Sequence, residues 1–235
     1  MKKLDSKELR GFLTGLILGD GTIDKGIDAR AFRMKSIDEE FIFHIREYLM
    51  SNTNFKIKIV EHDEYTKKGI HHKSYFDLSI KAHPYFAKKY HHFYDDNRQR
   101  RITIKTLSWL TPAGIANWYM SDGYIVRVGA NSGKIKDRRV EIATDRYSSE
   151  DVDKMMDYFK SEYGFKTTKV RRRDGIYRIR FSLMDAQHFF LLIKDYMIPS
   201  MYYKMDLCYD YQPKWMCDDY YELMMSFRSA SNPID

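Results

Sequence analysis

Cysteine is nearly absent: Cys208 and Cys217 are the only two in 235 residues. A lone pair with no second pair at ligand spacing excludes a zinc ribbon and a disulfide framework, and it fits free thiols in a reducing compartment. Proline is scarce too, at five residues. No apolar run approaches the ~20 residues of a membrane-spanning helix, so no membrane partner is expected. The stretch Met1-Lys2-Lys3-Leu4-Asp5-Ser6-Lys7-Glu8 has no apolar centre and carries acids, unlike a secretory signal or a transit peptide. The expected setting is therefore intracellular and reducing: a bacterial or phage-infected cytoplasm, or an organelle matrix. Acid is the charge in short supply, with 33 Asp and Glu against 40 Lys and Arg, a net +7 and a pI near 9.1. That balance favours a polyanionic partner without naming one.

Apolar and aromatic residues are plentiful, at 43% and 15%. This excludes disorder and is enough for one large domain or two of ordinary size. Leu13-Thr14-Gly15-Leu16-Ile17-Leu18-Gly19-Asp20-Gly21 is an apolar helical segment that stops on a carboxylate. Glycines at i and i+4 share one helix face, where another backbone can approach closely. Ile115-Ala116-Asn117-Trp118-Tyr119-Met120-Ser121-Asp122-Gly123 has the same shape and the same Asp-Gly ending. Either segment alone reads as a core helix with an ordinary exit.

The order of elements repeats around them. A helix over 8–19, extended segments at Thr22-Ile23 and 29–35, and a helix from Ile37 to about Met50 come first. Strands over 55–60 and 75–81, joined by a polar hairpin through Thr66-Lys67-Lys68-Gly69, and a helix from Pro84 follow. Asp95-Asp96-Asn97-Arg98-Gln99-Arg100-Arg101 is a charged joint, after which Leu110-Thr111-Pro112 starts the second motif helix with a threonine cap and an N1 proline. Strands over 124–128 and 138–144 then flank a polar loop over 129–136. A helix over 149–163, a hairpin about Asp174-Gly175 and a helix over 185–196 complete the repeat, and a last helix is expected near 219–227. A unit that occurs twice predicts a pseudo-symmetric protein. If the two motif helices pack through their small residues, with Gly15 and Gly19 facing Asn117 and Ser121 and with Ala113, Gly114 and Ala116 nearby, then Asp20 and Asp122 come close together. Two carboxylates so placed need a cation between them, and such a donor set suits a hard divalent ion.

The paired stretches resemble the two signature motifs of the LAGLIDADG homing endonucleases in their single-chain, two-repeat form. The first lacks only the first aspartate of the name; the second is more degenerate, but Leu-Thr-Pro before it and Ile198-Pro199-Ser200-Met201-Tyr202-Tyr203-Lys204 near the end also look typical. The resemblance covers about residues 8 to 210. It implies an α+β fold of two pseudo-symmetric αββαββα repeats forming a saddle-shaped DNA-binding sheet. The first repeat would span 1–98, a linker 99–111, and the second repeat with a C-terminal helical extension 112–235. It implies a monomeric, sequence-specific double-strand DNA endonuclease. Its divalent metal, Mg²⁺ or Mn²⁺, would be held by Asp20 and Asp122 with the carbonyls of Gly19 and Ser121. Lys204 matches the family's peripheral basic residue. In the first half Arg100, Arg101 and Lys105 compete for that role, with Arg101 the candidate set beside Lys204. An intron-encoded maturase binding intron RNA, or a DNA-binding regulator without activity, are the alternatives on the same fold.

The strands carry a separate expectation. One face of each should pack on helices and the other should be polar, either merely solvated or turned to DNA. Basic residues recur on the expected outer faces: Arg33 and Lys35, Lys56 and Lys58, Lys81, Arg139, Lys169 and Arg171, and Arg178 and Arg180. Arginine there would read guanine edges and lysine would mostly meet phosphate. His71-His72 and His91-His92 read as surface histidines, Met197 to Tyr211 as packing and Asp218-Asp219 as a helix start.

Overall fold

Ser6 ends the lead-in and begins α1 (Lys7–Leu18) by accepting the Leu9 N–H at 3.2 Å. The computed structural model describes residues 4, 6–24, 30–128, 137–173, 175–207, 212 and 214–231. Strands β1 (Thr22–Ile23) and β2 (Arg30–Ser36) follow, and then α2 (Glu39–Asn52), capped by Asp38 on the Phe41 N–H. Next come β3 (Ile57–His62), β4 (Tyr65–Lys67), β5 (Ile70–His72), β6 (Tyr75–His83) and α3 (Pro84–Phe93). The β4–β5 turn is the expected polar hairpin. Lys68 and Gly69 both have positive φ, 51° and 75°, as a tight two-residue hairpin turn requires. The joint between the halves contains a short helix, α4 (Ile104–Leu107), closed by reciprocal Thr103 and Thr106 hydrogen bonds.

The second half runs through α5 (Pro112–Asp122), β7 (Gly123–Val128), β8 (Asp137–Ala143), α6 (Ser149–Tyr163), β9 (Thr167–Arg173), β10 (Ile176–Phe181) and α7 (Leu183–Ile193). Short 3-10 turns over Lys194–Tyr196 and Pro199–Lys204, and α8 (Asp218–Ser231), complete the chain. Thr111 caps α5 as its sequence predicts, with Pro112 in the first turn. The expected polar loop over 129–136, Asp174 of the second hairpin and Cys208 lie outside the described residues.

The duplication is visible in topology. One antiparallel sheet has the order β1-β2-β6-β3 and the other β7-β8-β10-β9, the same path once the β4–β5 hairpin is set aside. Phe32, Met34, Leu78 and Ile80 of the first sheet, and Val140, Ile142, Ile179 and Phe181 of the second, are buried with the helices. The alternate residues lie on the open faces. Helices α1 and α5 are buried on every side through 11–18 and 114–120, as expected of elements packed between two halves and not on one face of a core. No helix among the described residues is long and apolar enough to cross a membrane.

Strand alternation places Arg33, Lys35, Lys58 and Arg139 on open faces as expected. Arg33 lies opposite Ser79, Lys35 opposite Asp77, Lys58 opposite Ser79 and Arg139 opposite Val126. Lys56 and Lys81 are exposed on the same sheet. Arg178 and Arg180 are open-face residues too, opposite Ala143 and Glu141. Lys169 and Arg171 are not. They lie opposite Ile179 and Tyr177, on the helix-packed side, and the Lys169 Nζ bonds Ser149 Oγ at 2.8 Å and Asp153 Oδ2 at 2.7 Å on α6. A one-residue phase error flips a whole strand, and here the open-face arginine of β9 is Arg172.

Candidate active site and nucleic-acid face

The site is built on the α1–α5 crossing. A Cβ on Gly15 would sit 1.8 Å from the Gly114 carbonyl oxygen, and one on Gly114 would sit 2.2 Å from that of Gly11. The two backbones therefore touch, and any side chain at these points would separate the helices. Gly15 meets Gly114, one of the small residues expected nearby, and Asn117 also reaches α1, donating to the Phe12 carbonyl at 3.4 Å. Gly19 does face Ser121, as expected, with a virtual Cβ 2.5 Å from Ser121 Cβ and 3.7 Å from Asp122 Oδ2. The crossing thus brings the ends of both helices, and Asp20 and Asp122 with them, to one level.

The two carboxylates are unequal. Burial pushes the Asp122 pKa up from 3.8 to about 7, with the Asp20 charge adding to the rise and Arg146, Arg100 and Lys204 opposing it. Asp20 is half-exposed and pairs with Arg146 Nη2 at 3.2 Å. Among the described residues no cluster of three or more His, Cys, Asp or Glu could hold a metal ion.

The basic groups are unequal as well. Lys204 Nζ donates to the Met120 carbonyl at the end of α5, and the Lys204 carbonyl accepts the Tyr119 hydroxyl at 2.7 Å. Burial lowers the Lys204 pKa, against the pull of Asp122, Asp20 and Asp38. At the end of α1 the corresponding group is Arg100 and not Arg101. Arg100 donates to the carbonyls of Ile17, Gly19 (3.2 Å) and Gly21 (2.6 Å), so it satisfies the acceptors that the helix end leaves open. Arg101 is exposed, and its guanidinium turns to the His91 carbonyl, away from the carboxylates. The alternation of a bridge between Tyr94 and Arg100 separates the two neighbours.

Residues the sequence did not single out complete the site. Arg146 and Tyr147, just past β8, reach across to the other half, where Tyr147 donates to the Leu18 carbonyl at 2.9 Å and Arg146 to that of Gly19 at 3.3 Å. The Gly19 carbonyl, an expected metal ligand, thus accepts from both Arg100 and Arg146. Two cavities flank the carboxylates, of about 710 Å³ beside Asp20 and about 700 Å³ beside Asp122, and Ser121, Tyr203 and Lys204 line both.

On the open face of the second sheet Glu141 is fully covered. It accepts the Tyr124 hydroxyl, Arg172 Nη2 at 2.9 Å, and Arg180 Nε and Nη2 at 2.9 and 2.7 Å. Burial pushes its pKa up, but these bonds and charges outweigh that and hold it below the usual carboxylate value. Alternation puts Glu141 on the face of Arg139, but its pairing with Tyr124, Arg172 and Arg180 carries no local sequence signal, because those partners are on other strands.

Comparison with known proteins places this geometry in a lineage. The chain is 30% identical over 139 residues to a probable intron-encoded DNA endonuclease 3 of Mycosarcoma maydis, covering 57% of this chain and 93% of that protein. It shares its fold with the homing endonuclease I-WcaI, solved bound to its DNA recognition sequence, at a TM-score of 0.73 and 20% identity over 87% of this chain and 88% of that one. I-DmoI, solved in complex with DNA and Mn, follows at 0.52 and 17% over 80% and 96%. Residues 10–189, which hold both motif helices and both sheets, match the LAGLIDADG DNA endonuclease family, and the chain belongs to it.

Proposed function

We propose that the protein is a site-specific double-strand DNA endonuclease that works as a single chain, with Asp20 and Asp122 as its central catalytic pair and a divalent cation, Mg²⁺ or Mn²⁺, as cofactor. The observation that carries this reading is the Gly11, Gly15 and Gly114 contact, which sets two carboxylates side by side between two sheets with basic open faces.

The donors fit such an ion. Burial and then the Asp20 charge raise the Asp122 pKa, so a cation beside the pair would favour its ionised form, and Mg²⁺ is commonly bound through one or two carboxylates with waters completing its shell. Asp20 and Asp122 would hold it with the Ser121 carbonyl; the Gly19 carbonyl would join only by releasing Arg100 or Arg146. When bound, the ion supplies polarisation of a phosphate oxygen and a lowered pKa for water. The protein's own groups do the remaining work. Lys204 lines both cavities, where its ammonium stabilises negative charge growing on the phosphate and orients solvent. Arg33, Lys35, Lys56, Lys58, Lys81, Arg139, Arg178 and Arg180 hold the duplex across the open faces, while Arg100 and Tyr147 fix the end of α1 so that Asp20 keeps its place.

Selection of cleaved sites from a randomised DNA library with Mg²⁺, repeated with the ion chelated, tests the reading. Asp20→Asn and Asp122→Asn should each suppress cleavage by at least about 10²-fold while the DNA is still bound. Cleavage of a selected site at the wild-type rate by both variants would overturn it.

A further inference from the structure

The two open faces are equipped differently. On the second sheet three of the arginines are held by carboxylates, two of them along one edge. Arg178 gives Nε and Nη2 to Asp145 at 2.9 and 2.8 Å, and Arg180 gives the same pair to Glu141. Arg172 comes from a β-bulge, where Tyr177 pairs with Arg171 and Ile176 with Arg173, and it lies on Glu141. Tyr124 ties the three together. Its hydroxyl donates to Glu141 and accepts from Arg178 Nη1 at 2.6 Å and Arg172 Nη2 at 3.1 Å. The side chains of Arg172, Arg178 and Arg180 remain 38%, 24% and 26% exposed, so their outer edges face the open side.

The first sheet offers Lys35, Lys56, Lys58 and Lys81, all exposed, with Lys35 3.7 Å from Asp77. Its nearest analogue of the buttressed type is Arg33 on Asp24 at 2.9 Å, and that arginine is 59% exposed.

A guanidinium has five N–H donors in a rigid fork. When a carboxylate takes the Nε edge, the remaining donors form a second fork that matches O6 and N7 of guanine in the major groove. The side chain is ordered before DNA arrives, so binding costs less entropy. The same carboxylate cancels charge and repels phosphate, which turns the arginine from backbone towards base. Unbuttressed lysines behave in the opposite way, as mobile point charges suited to phosphate.

We infer that base recognition is concentrated in the half of the target covered by the second sheet, where Arg178 and Arg180, held edge-on by Asp145 and Glu141, and Arg172, held through Nη2 by Glu141, read guanines, while the first sheet mainly tracks phosphates. Glu141 is a positioning residue in this scheme. The inference rests on the endonuclease reading for its DNA target, but it concerns binding and is tested without cleavage.

The test is selection by binding from a randomised duplex library in the absence of divalent metal, for wild type and for Arg178→Lys, Arg180→Lys, Glu141→Gln and Lys58→Ala. Wild type should select guanines at two or three positions of one half-site, each wrong base weakening binding by about 5- to 150-fold. Arg178→Lys and Arg180→Lys should each flatten one of those positions and leave the rest. Glu141→Gln should blur the positions of Arg172 and Arg180 together and, by freeing their charge for phosphate, leave the salt slope no smaller than that of the wild type. Lys58→Ala should weaken all sequences alike and reduce the salt slope by about 0.9. If Glu141→Gln does not fold, Arg172→Lys, which keeps the charge, gives the same readout at one position. Guanine preferences that survive the arginine changes, or that are lost with Lys58, overturn the inference. Selective binding with no cleavage on adding Mg²⁺ would sink the endonuclease reading and leave this one standing; cleavage with no guanine preference would do the reverse.

Discussion

Asp122→Asn should make the metal-free protein more stable at pH 8 while disabling it as a nuclease. The Asp122 carboxyl ionises near 3.8 when unfolded and at about 7 in the folded chain, because burial and then Asp20 disfavour its charge. Between these values the folded state holds a proton that the unfolded state has released, so stability falls as pH rises from about 4 to about 7 and then levels off. A shift of this size corresponds to about 4 kcal/mol at the plateau. Asparagine has the same shape and no charge to bury, so the variant should match the wild type below pH 4 and exceed it by up to that amount at pH 8. For a chain of this length such a gain raises Tm by roughly 8–16 °C. Thermal unfolding of both proteins in chelator, at intervals from pH 4 to pH 8, measures the effect. Added Mg²⁺ should then narrow the gap, because it stabilises the ionised wild-type pair and gives the variant less. Equal Tm values at pH 8, or a gap that does not grow with pH, would refute the reasoning and remove the electrostatic case for a cation at this pair.

Four other changes follow from the same geometry. Gly15→Ala puts a methyl group into the Gly114 carbonyl and should cost about 3 kcal/mol or more, read as a lower Tm and a loss of cleavage together. Arg100→Gln leaves α1 carbonyls without their cationic donor and should destabilise by about 3 kcal/mol, whereas Arg101→Ala should leave both Tm and cleavage at wild-type values. Lys204→Met should slow cleavage by about 10²-fold with little change in DNA affinity, as measured by single-turnover rates and filter binding.

The features that were legible in the sequence are those fixed by local rules, and the features that were not depend on a partner far along the chain. Glycines four apart announce a close helix crossing wherever the other helix comes from, and an Asp-Gly exit marks the level at which each carboxylate stands. Strand alternation likewise gave the open faces of β2, β3, β6, β8 and β10. It gave the wrong face for β9, because periodicity fixes which residues share a side but not which side is covered, and the bulge that aims Arg172 depends on the pairing with β10. Arg100 and Arg101 are adjacent and chemically alike; the Tyr94–Arg100 bridge, with the Arg101 N–H on the Phe93 carbonyl, decides which one reaches the helix end. Arg146 and Tyr147 act on residues of the other repeat, so neither spacing nor composition within their own repeat points to them. The duplication is therefore exact in topology and broken in charge. Asp20 has a guanidinium partner, Asp122 is buried towards neutrality, Arg100 is spent on backbone carbonyls, and Lys204 faces both cavities. Two strands of DNA presented to such a centre meet different chemistry, and one should be cut faster than the other, with nicked plasmid accumulating before linear product.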